Sequence, residues 1–368
     1  MAQLAKFTRS LLMTLSRRPT VTEIAISTRE HHQRLCAIAT RIAITCHKKI
    51  CSACRWYENS SGYSSYARAH QTKAPILLGA SLGFLGLFFK KNDEEKEPEL
   101  VTSIKRSVLL IQRGEYKKAE QMLHLALRQA QTVENEQGVT YIYDLMANLA
   151  FEIGEYDKAQ KLYTTVMQRL LMDGVPQDDL RIVTMSLKLA KILEHKGDYN
   201  NAENGYKYCL KILQEHIDQG TKDLDIMNIS AMSLDWYAHL LLNMSRYTEA
   251  MRHMKSAYEL CVRLNGEVHE QSVILLNDLG SISFTKGNLD DAVDYLTKAV
   301  VTGEKLAEMD DIASIHVNLG NVYIKKGLLD EAKKSCLKGW KLSKKTKNDE
   351  SMGEAKLCLE EIKKLLTK

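Results

Sequence analysis

Two sets of residues in this 368-residue chain have types and spacing that invite a chemical reading. Near the N-terminus, Cys51-Ser52-Ala53-Cys54 follows Cys46 and His47, the ligand arithmetic of a zinc knuckle. A structural zinc needs four ligands held in a folded frame, whereas residues 29–65 mix His, Arg, Cys, Ser and Tyr without a sustained period. The cluster therefore reads as chance crowding. Farther along, His195, His239, His253, His269 and His316 are candidate bases. They lie far apart without paired carboxylates at ligand spacing, and each reads as a helix-surface or boundary residue. No GxSxG, phosphate loop, HExxH or GxGxxG in a strand–turn–helix setting is present. Cys209, Cys261, Cys336 and Cys358 fall singly on helical faces and read as small core residues. No catalytic, cofactor or metal set is expected, and no small-molecule substrate.

The elements that would position any working surface are announced by a recurrent turn. Lys286-Gly287-Asn288-Leu289-Asp290-Asp291-Ala292 and Lys326-Gly327-Leu328-Leu329-Asp330-Glu331-Ala332 are near copies. Earlier versions are Gly114-Glu115-Tyr116 with Ala119, Gly154-Glu155-Tyr156 with Ala159, and Gly197-Asp198-Tyr199 with Ala202. A degenerate copy, Ser245-Arg246-Tyr247 with Ala250, completes the series. The turn positions 114, 154, 197, 245, 287 and 327 are spaced by 40, 43, 48, 42 and 40 residues. Between them the apolar period is helical, and no strand-type alternation stands out after residue 100. Seven residues before each turn from the second onward stands a small residue: Ala147, Ala190, Ala238, Gly280 and Gly320. A large side chain there would force crossing helices apart. Internal repeats of this kind mean a stacked array of helix pairs, closed by an amphipathic capping helix over 349–367.

Charge is distributed unevenly. Residues 1–73 carry 12 Lys/Arg against Glu23, Glu30 and Glu58, a balance of +9, while the formal total is +5, leaving −4 for the rest. The repeat body thus lacks the basic character of a nucleic-acid-binding domain. The first 22 residues hold no acid, and Leu4, Phe7, Leu11, Leu12 and Leu15 line one helical face among Lys6, Arg9, Arg17 and Arg18. That composition describes a mitochondrial presequence, placed with its disordered continuation over 1–70. An uncharged stretch, 74–89, is bracketed by Lys73 and Lys90-Lys91. It is short for a transmembrane helix, but flanking lysines can snorkel to supply length. An acidic linker over 90–99 leads into a repeat domain over 100–368. The positive-inside bias puts the N-terminus in the matrix and the repeats in the intermembrane space.

The order Leu-Gly/Ala, then Gly-x-Tyr/Leu-x-x-Ala, resembles the tetratricopeptide repeat, whose usual period is 34 residues, although the copies here run to ~42 residues. Leu264-Asn265-Gly266-Glu267-Val268-His269 followed by Leu276-Asn277-Asp278-Leu279-Gly280 resembles the long repeats of kinesin light chains. The resemblance implies an all-α helix-pair solenoid of five to six long repeats with a C-terminal cap, preceded by one transmembrane helix. Its concave face would be lined by Tyr141, Asp144, Asn148, Phe151, Lys191, Asp235, Trp236, His239, Asn277, Asp278, Ser281, Phe284, Asn318 and Asn321. Partner binding is expected at Asn148, Lys191, Trp236, Asn277, Asp278, Asn318 and Asn321, since a row of side-chain amides offers donors and acceptors to an extended backbone. Taken whole, the chain resembles a family of mitochondrial inner-membrane tetratricopeptide repeat proteins concerned with respiratory complex III. The likeness implies a membrane-tethered scaffold that assists assembly or maintenance of the cytochrome bc1 complex, with the Rieske iron–sulfur subunit as partner. A cytosolic adaptor for motor cargo or chaperones is the alternative.

Overall fold

The computed structural model describes residues 99–367, apart from 222, 307, 308 and 310. Among these residues there are thirteen α-helices and no strand. They are α1 (Glu99–Gln112), α2 (Tyr116–Thr132), α3 (Glu136–Glu152), α4 (Tyr156–Met172), α5 (Leu180–His195), α6 (Tyr199–Asp218) and α7 (Leu224–Asn243). Then follow α8 (Tyr247–Asn265), α9 (Glu270–Thr285), α10 (Leu289–Gly303), α11 (Ile312–Lys326), α12 (Leu329–Thr346) and α13 (Asp349–Leu366). The presequence, the stretch 74–89 and the acidic linker to residue 98 lie outside the described residues. No described helix is long and apolar enough to cross a membrane.

Each pair is made by one rule. The second helix of every pair buries residues at i, i+4, i+7 and i+11, the stripe that a 3.6-residue period places on one face. In α2 these are Ala119, Leu123, Ala126 and Ala130; in α4, Ala159, Tyr163, Val166 and Leu170. In α12 they are Ala332, Cys336, Gly339 and Ser343, and α13 repeats the spacing with Ser351, Ala355, Cys358 and Ile362. The first helices are buried more broadly, because each lies between its own partner and the next repeat; α3 buries nine residues from Val139 to Ala150. Small residues set the crossings. At Gly320 an added Cβ would lie 2.2 Å from Cys336 Sγ, so α11 and α12 could not close with any larger side chain there.

The turns between paired helices have one geometry. After α3, Gly154 N–H donates to Phe151 O at 3.1 Å and Glu155 N–H to Ala150 O at 2.8 Å, with Gly154 at φ +78°. This double closure satisfies the last carbonyls of the helix and calls for a left-handed residue. Ser245 supplies that conformation after α7, at φ +58°, without being glycine. Its amide donates to Leu242 O and that of Arg246 to Leu241 O, both at 2.8 Å. A left-handed side-chain-bearing residue costs about 1–2 kcal/mol, against about 0.5–1 kcal/mol for the extra freedom glycine loses. Ser245→Gly is therefore expected to raise stability by about 0.5 kcal/mol, read from urea unfolding midpoints. A lower midpoint would show that Ser245 does more than accept the strain.

One expectation needs correcting. Cys209 and Cys261 are buried thiols, as small core residues should be. Cys336 and Cys358 are also buried but are joined in a disulfide, Cα–Cα 6.2 Å, that ties the capping helix to α12. Both occupy stripe positions, and only the fold-back of α13 over the end of the array brings those stripes face to face.

Candidate functional site

The polar residues of the first helices are held by contacts from repeat to repeat. On α3, Asn148 Oδ1 accepts from Tyr163 Oη at 2.8 Å and from Lys188 Nζ, on α5, at 2.5 Å, while its Nδ2 donates to Asp144 Oδ2 at 3.2 Å. Lys188 is 3% exposed. Burial pushes its ammonium pKa down, and the carboxylates of Asp144 and Glu152 oppose that. Farther along α5, Glu194 accepts from Tyr206 Oη at 2.7 Å and Asn243 Nδ2 at 3.1 Å, and pairs with Lys191 Nζ at 3.1 Å. Lys191 also stands 5.8 Å from the centre of the Trp236 ring. That ring, on α7, stacks on Phe151 of α3 with centroids 6.2 Å apart, reaching past the intervening helix α5. Side chains of alternate first helices thus meet here.

The second half of the face is built differently. Asn318 Nδ2 on α11 donates to Asn277 Oδ1 on α9 at 2.9 Å, and Asn277 Nδ2 lies 3.5 Å from Asp278 Oδ1. His239, on α7, has its Nε2 3.3 Å from Asp235 Oδ1 and 3.5 Å from Asp278 Oδ2. Burial opposes charge on the imidazole, but the two carboxylates outweigh it and hold the pKa up at about 10. Asp278 is 1% exposed, so its side chain serves the layer beneath the face. Lys191, Trp236, Asn148, Asn277, Asn318 and Asn321 are all half-buried. The asparagine row is thus partly satisfied within the chain, by one direct amide–amide bond between neighbouring repeats.

Sequence reasoning placed Asp235, His239 and Asp278 on the same face but missed that they converge. The available signal was the i, i+4 spacing of Asp235 and His239, which puts the two side chains on one helical stripe. Lys188 and Glu194 were missed as well. Their signal was a charge set among Leu187, Leu189, Ala190, Ile192 and Leu193, a run too apolar to leave a charged side chain without a buried partner. His316 is not a surface residue; it is 6% exposed, with Nε2 3.3 Å from Glu304 Oε1.

Outside this face, acid–base ties join successive repeats: Lys158 with Glu120, Lys196 with Asp157, and Lys326 with Asp290. Exposed pairs of this kind contribute little, about 0–1 kcal/mol each. Glu203 is better enclosed, accepting from Tyr237 Oη at 2.9 Å and Arg246 Nη1 at 2.8 Å, and pairing with Lys207 at 2.7 Å. Burial would raise its pKa, yet the hydrogen bonds from Lys207, Arg246 and Tyr237 bring it down to about 2. A depressed folded-state pKa stabilises above the unfolded value near 4.5 and loses that contribution as pH falls toward 2. The unfolding midpoint of Glu203→Gln is therefore expected to vary less than wild type between pH 5 and pH 2, as a thermal melt series at about those values would read. Parallel curves would remove Glu203 from the account of acid sensitivity.

The first helices thus offer hydrogen-bonding and stacking groups that meet from repeat to repeat. Tetratricopeptide repeat models match residues 229–300 and 313–346. Among solved structures, the chain shares its fold with a signal-transduction ATPase of Pyrococcus horikoshii that has a tetratricopeptide repeat sensor. That match has a TM-score of 0.55 and 16% identity over 72% of this chain and 44% of the other. A Rap protein complexed with Competence and Sporulation Factor gives a TM-score of 0.53 and 16% identity, over 75% and 74% of the two chains. Among whole proteins, the Drosophila melanogaster homologue of mitochondrial tetratricopeptide repeat protein 19 is 34% identical over 320 residues, spanning 84% of this chain and 85% of that one. The Homo sapiens protein of that name is 32% identical over 285 residues, 74% of each. With that identity over most of both lengths, the chain belongs to the family of mitochondrial tetratricopeptide repeat protein 19.

Proposed function

We propose that this protein is a membrane-tethered, protein-binding scaffold of the mitochondrial inner membrane. In this reading it assists assembly or maintenance of respiratory complex III by contacting the Rieske iron–sulfur subunit or its fragments. The observation that carries the reading is family membership alongside an acid-free, basic, amphipathic N-terminus and an uncharged stretch between lysines. Residues 1–70 act as presequence, 74–89 as the single membrane span, 90–99 as an acidic spacer and 100–368 as the repeat domain. Orientation has support of a separate kind. Disulfides persist where thiols are oxidised and are rare where glutathione and thioredoxin keep them reduced. The Cys336–Cys358 bond fits a repeat domain outside the reducing matrix, facing the intermembrane space.

Tethering confines the concave face to the surface where its partner lies, so weak contacts suffice through raised effective concentration. Lys191, Trp236, Asn277, Asn318 and Asn321 are the side chains that a captured segment would meet, with Asn148 and Asp278 supporting them from below. Introducing negative charge at Asn318 and Asn321, each to Asp, is expected to abolish co-purification with complex III while leaving the helical circular dichroism spectrum unchanged. Undiminished co-purification would move the contact off this face. Protease treatment of mitoplasts carrying a C-terminal tag is expected to remove the tag; full protection would overturn the orientation.

A further inference from the structure

Asp235, His239 and Asp278 form a set that the scaffold role does not require. His239 Nε2, Asp235 Oδ1 and Asp278 Oδ2 all lie within 4.8 Å of one another, drawn from two neighbouring repeats. Both carboxylate oxygens approach the same imidazole nitrogen, at 3.3 and 3.5 Å. A cation placed among them would meet all three groups at once. Ligands held about 2.0–2.2 Å from a zinc-class ion in a tetrahedron stand roughly 3.3–3.6 Å apart, close to the two nitrogen–oxygen distances here.

Asp278 forms the buried wall of the set, at 1% exposure. The side chains of Asp235 and His239 keep 15% and 18% exposure, while Asp235 Oδ1, His239 Nε2 and Asp278 Oδ2 are themselves buried. We propose that Asp235, His239 and Asp278 hold a divalent cation of the zinc class, with water completing its coordination. Imidazole nitrogen with carboxylate oxygen is a donor set that suits zinc. The site stands independently of which partner the concave face takes.

The test uses the full chain in detergent, with Cys46, Cys51 and Cys54 replaced by Ser so that the N-terminal thiols cannot contribute. Zn2+ titration by calorimetry is expected to give one equivalent per chain and a raised thermal midpoint. Co2+ is expected to give visible tetrahedral bands without a sulfur charge-transfer band. Loss of an outer-shell partner alone weakens metal sites by about 10–100-fold. Asp235→Asn and His239→Gln, at the two more exposed ligands, are therefore expected to weaken binding at least that much and to abolish the Co2+ spectrum, with helicity retained. Equal affinity in the host and both variants, or no binding by the folded host at micromolar Zn2+, would overturn the site and leave the three residues as an ion pair between repeats.

Discussion

Replacing Lys188 by Met is expected to lower unfolding stability by about 3 kcal/mol, at the low end of the 3–5 kcal/mol typical of breaking a buried ion pair. The side chain is 3% exposed, donates to Asn148 Oδ1 and lies 5.6 Å from the centre of the Tyr163 ring. Met preserves much of the volume and removes the cost of burying an ammonium. It also takes from Asp144 and Glu152 the positive charge that offsets them. Burial already raises the Glu152 carboxyl pKa, so that group can take up a proton and soften the loss. This is why the low end applies. At about 2–4 °C per kcal/mol for a domain near this size, the melting midpoint is expected to fall by roughly 6–12 °C. Adding Glu152→Gln is expected to recover part of the loss, because the two changes act on one network and are not additive. A midpoint within a degree of wild type would show that the lysine is a passenger in its pocket.

Cys336→Ala is expected to cost a similar amount. The disulfide closes a loop with a sequence separation of 22 residues, for which chain-entropy arguments give about 3 kcal/mol. The loss should be local. The capping helix α13 meets the array through Ala355, Cys358 and Ile362, while Leu357, Leu365 and Leu366 face outward. Without the covalent tie these packing contacts, with the Ser314–Ser351 hydrogen bond, have to hold alone. Amide exchange in α13 is expected to quicken well before exchange in α3–α6, following the rule that terminal elements open at lower free energy than the core. Wild-type protein treated with a phosphine reductant should match the variant. Identical melting in oxidising and reducing buffer would remove the bond from any stabilising role.

Much of the architecture is legible in the chain because it is local. A glycine at φ +72° to +81° closes five of the six paired-helix turns, and glycine is the residue that adopts this conformation without a steric penalty. The i, i+4, i+7, i+11 stripes need only the helical period to be recognised. The side of its helix that each residue takes was legible in the same way, since register assigns it. What register cannot show is which residues on that face spend their hydrogen-bonding capacity on each other. Asn277 and Asn318, 41 residues apart, meet in one bond. Phe151 and Trp236 stack across an intervening repeat.

The sequence by itself determined the helix pairs, their turns, their buried stripes and the placing of Asp235, His239 and Asp278 on one side. Short-range sterics and the 3.6-residue period suffice for each of those. Tertiary structure alone decided that Asp278 of one repeat would come within 3.5 Å of His239 in the repeat before it, and that Cys358 would land on Cys336. Those distances depend on the angle at which one pair stacks on the next. That angle is a sum over many crossings, including the gap that Gly320 leaves for Cys336, and no single stretch of the chain contains it.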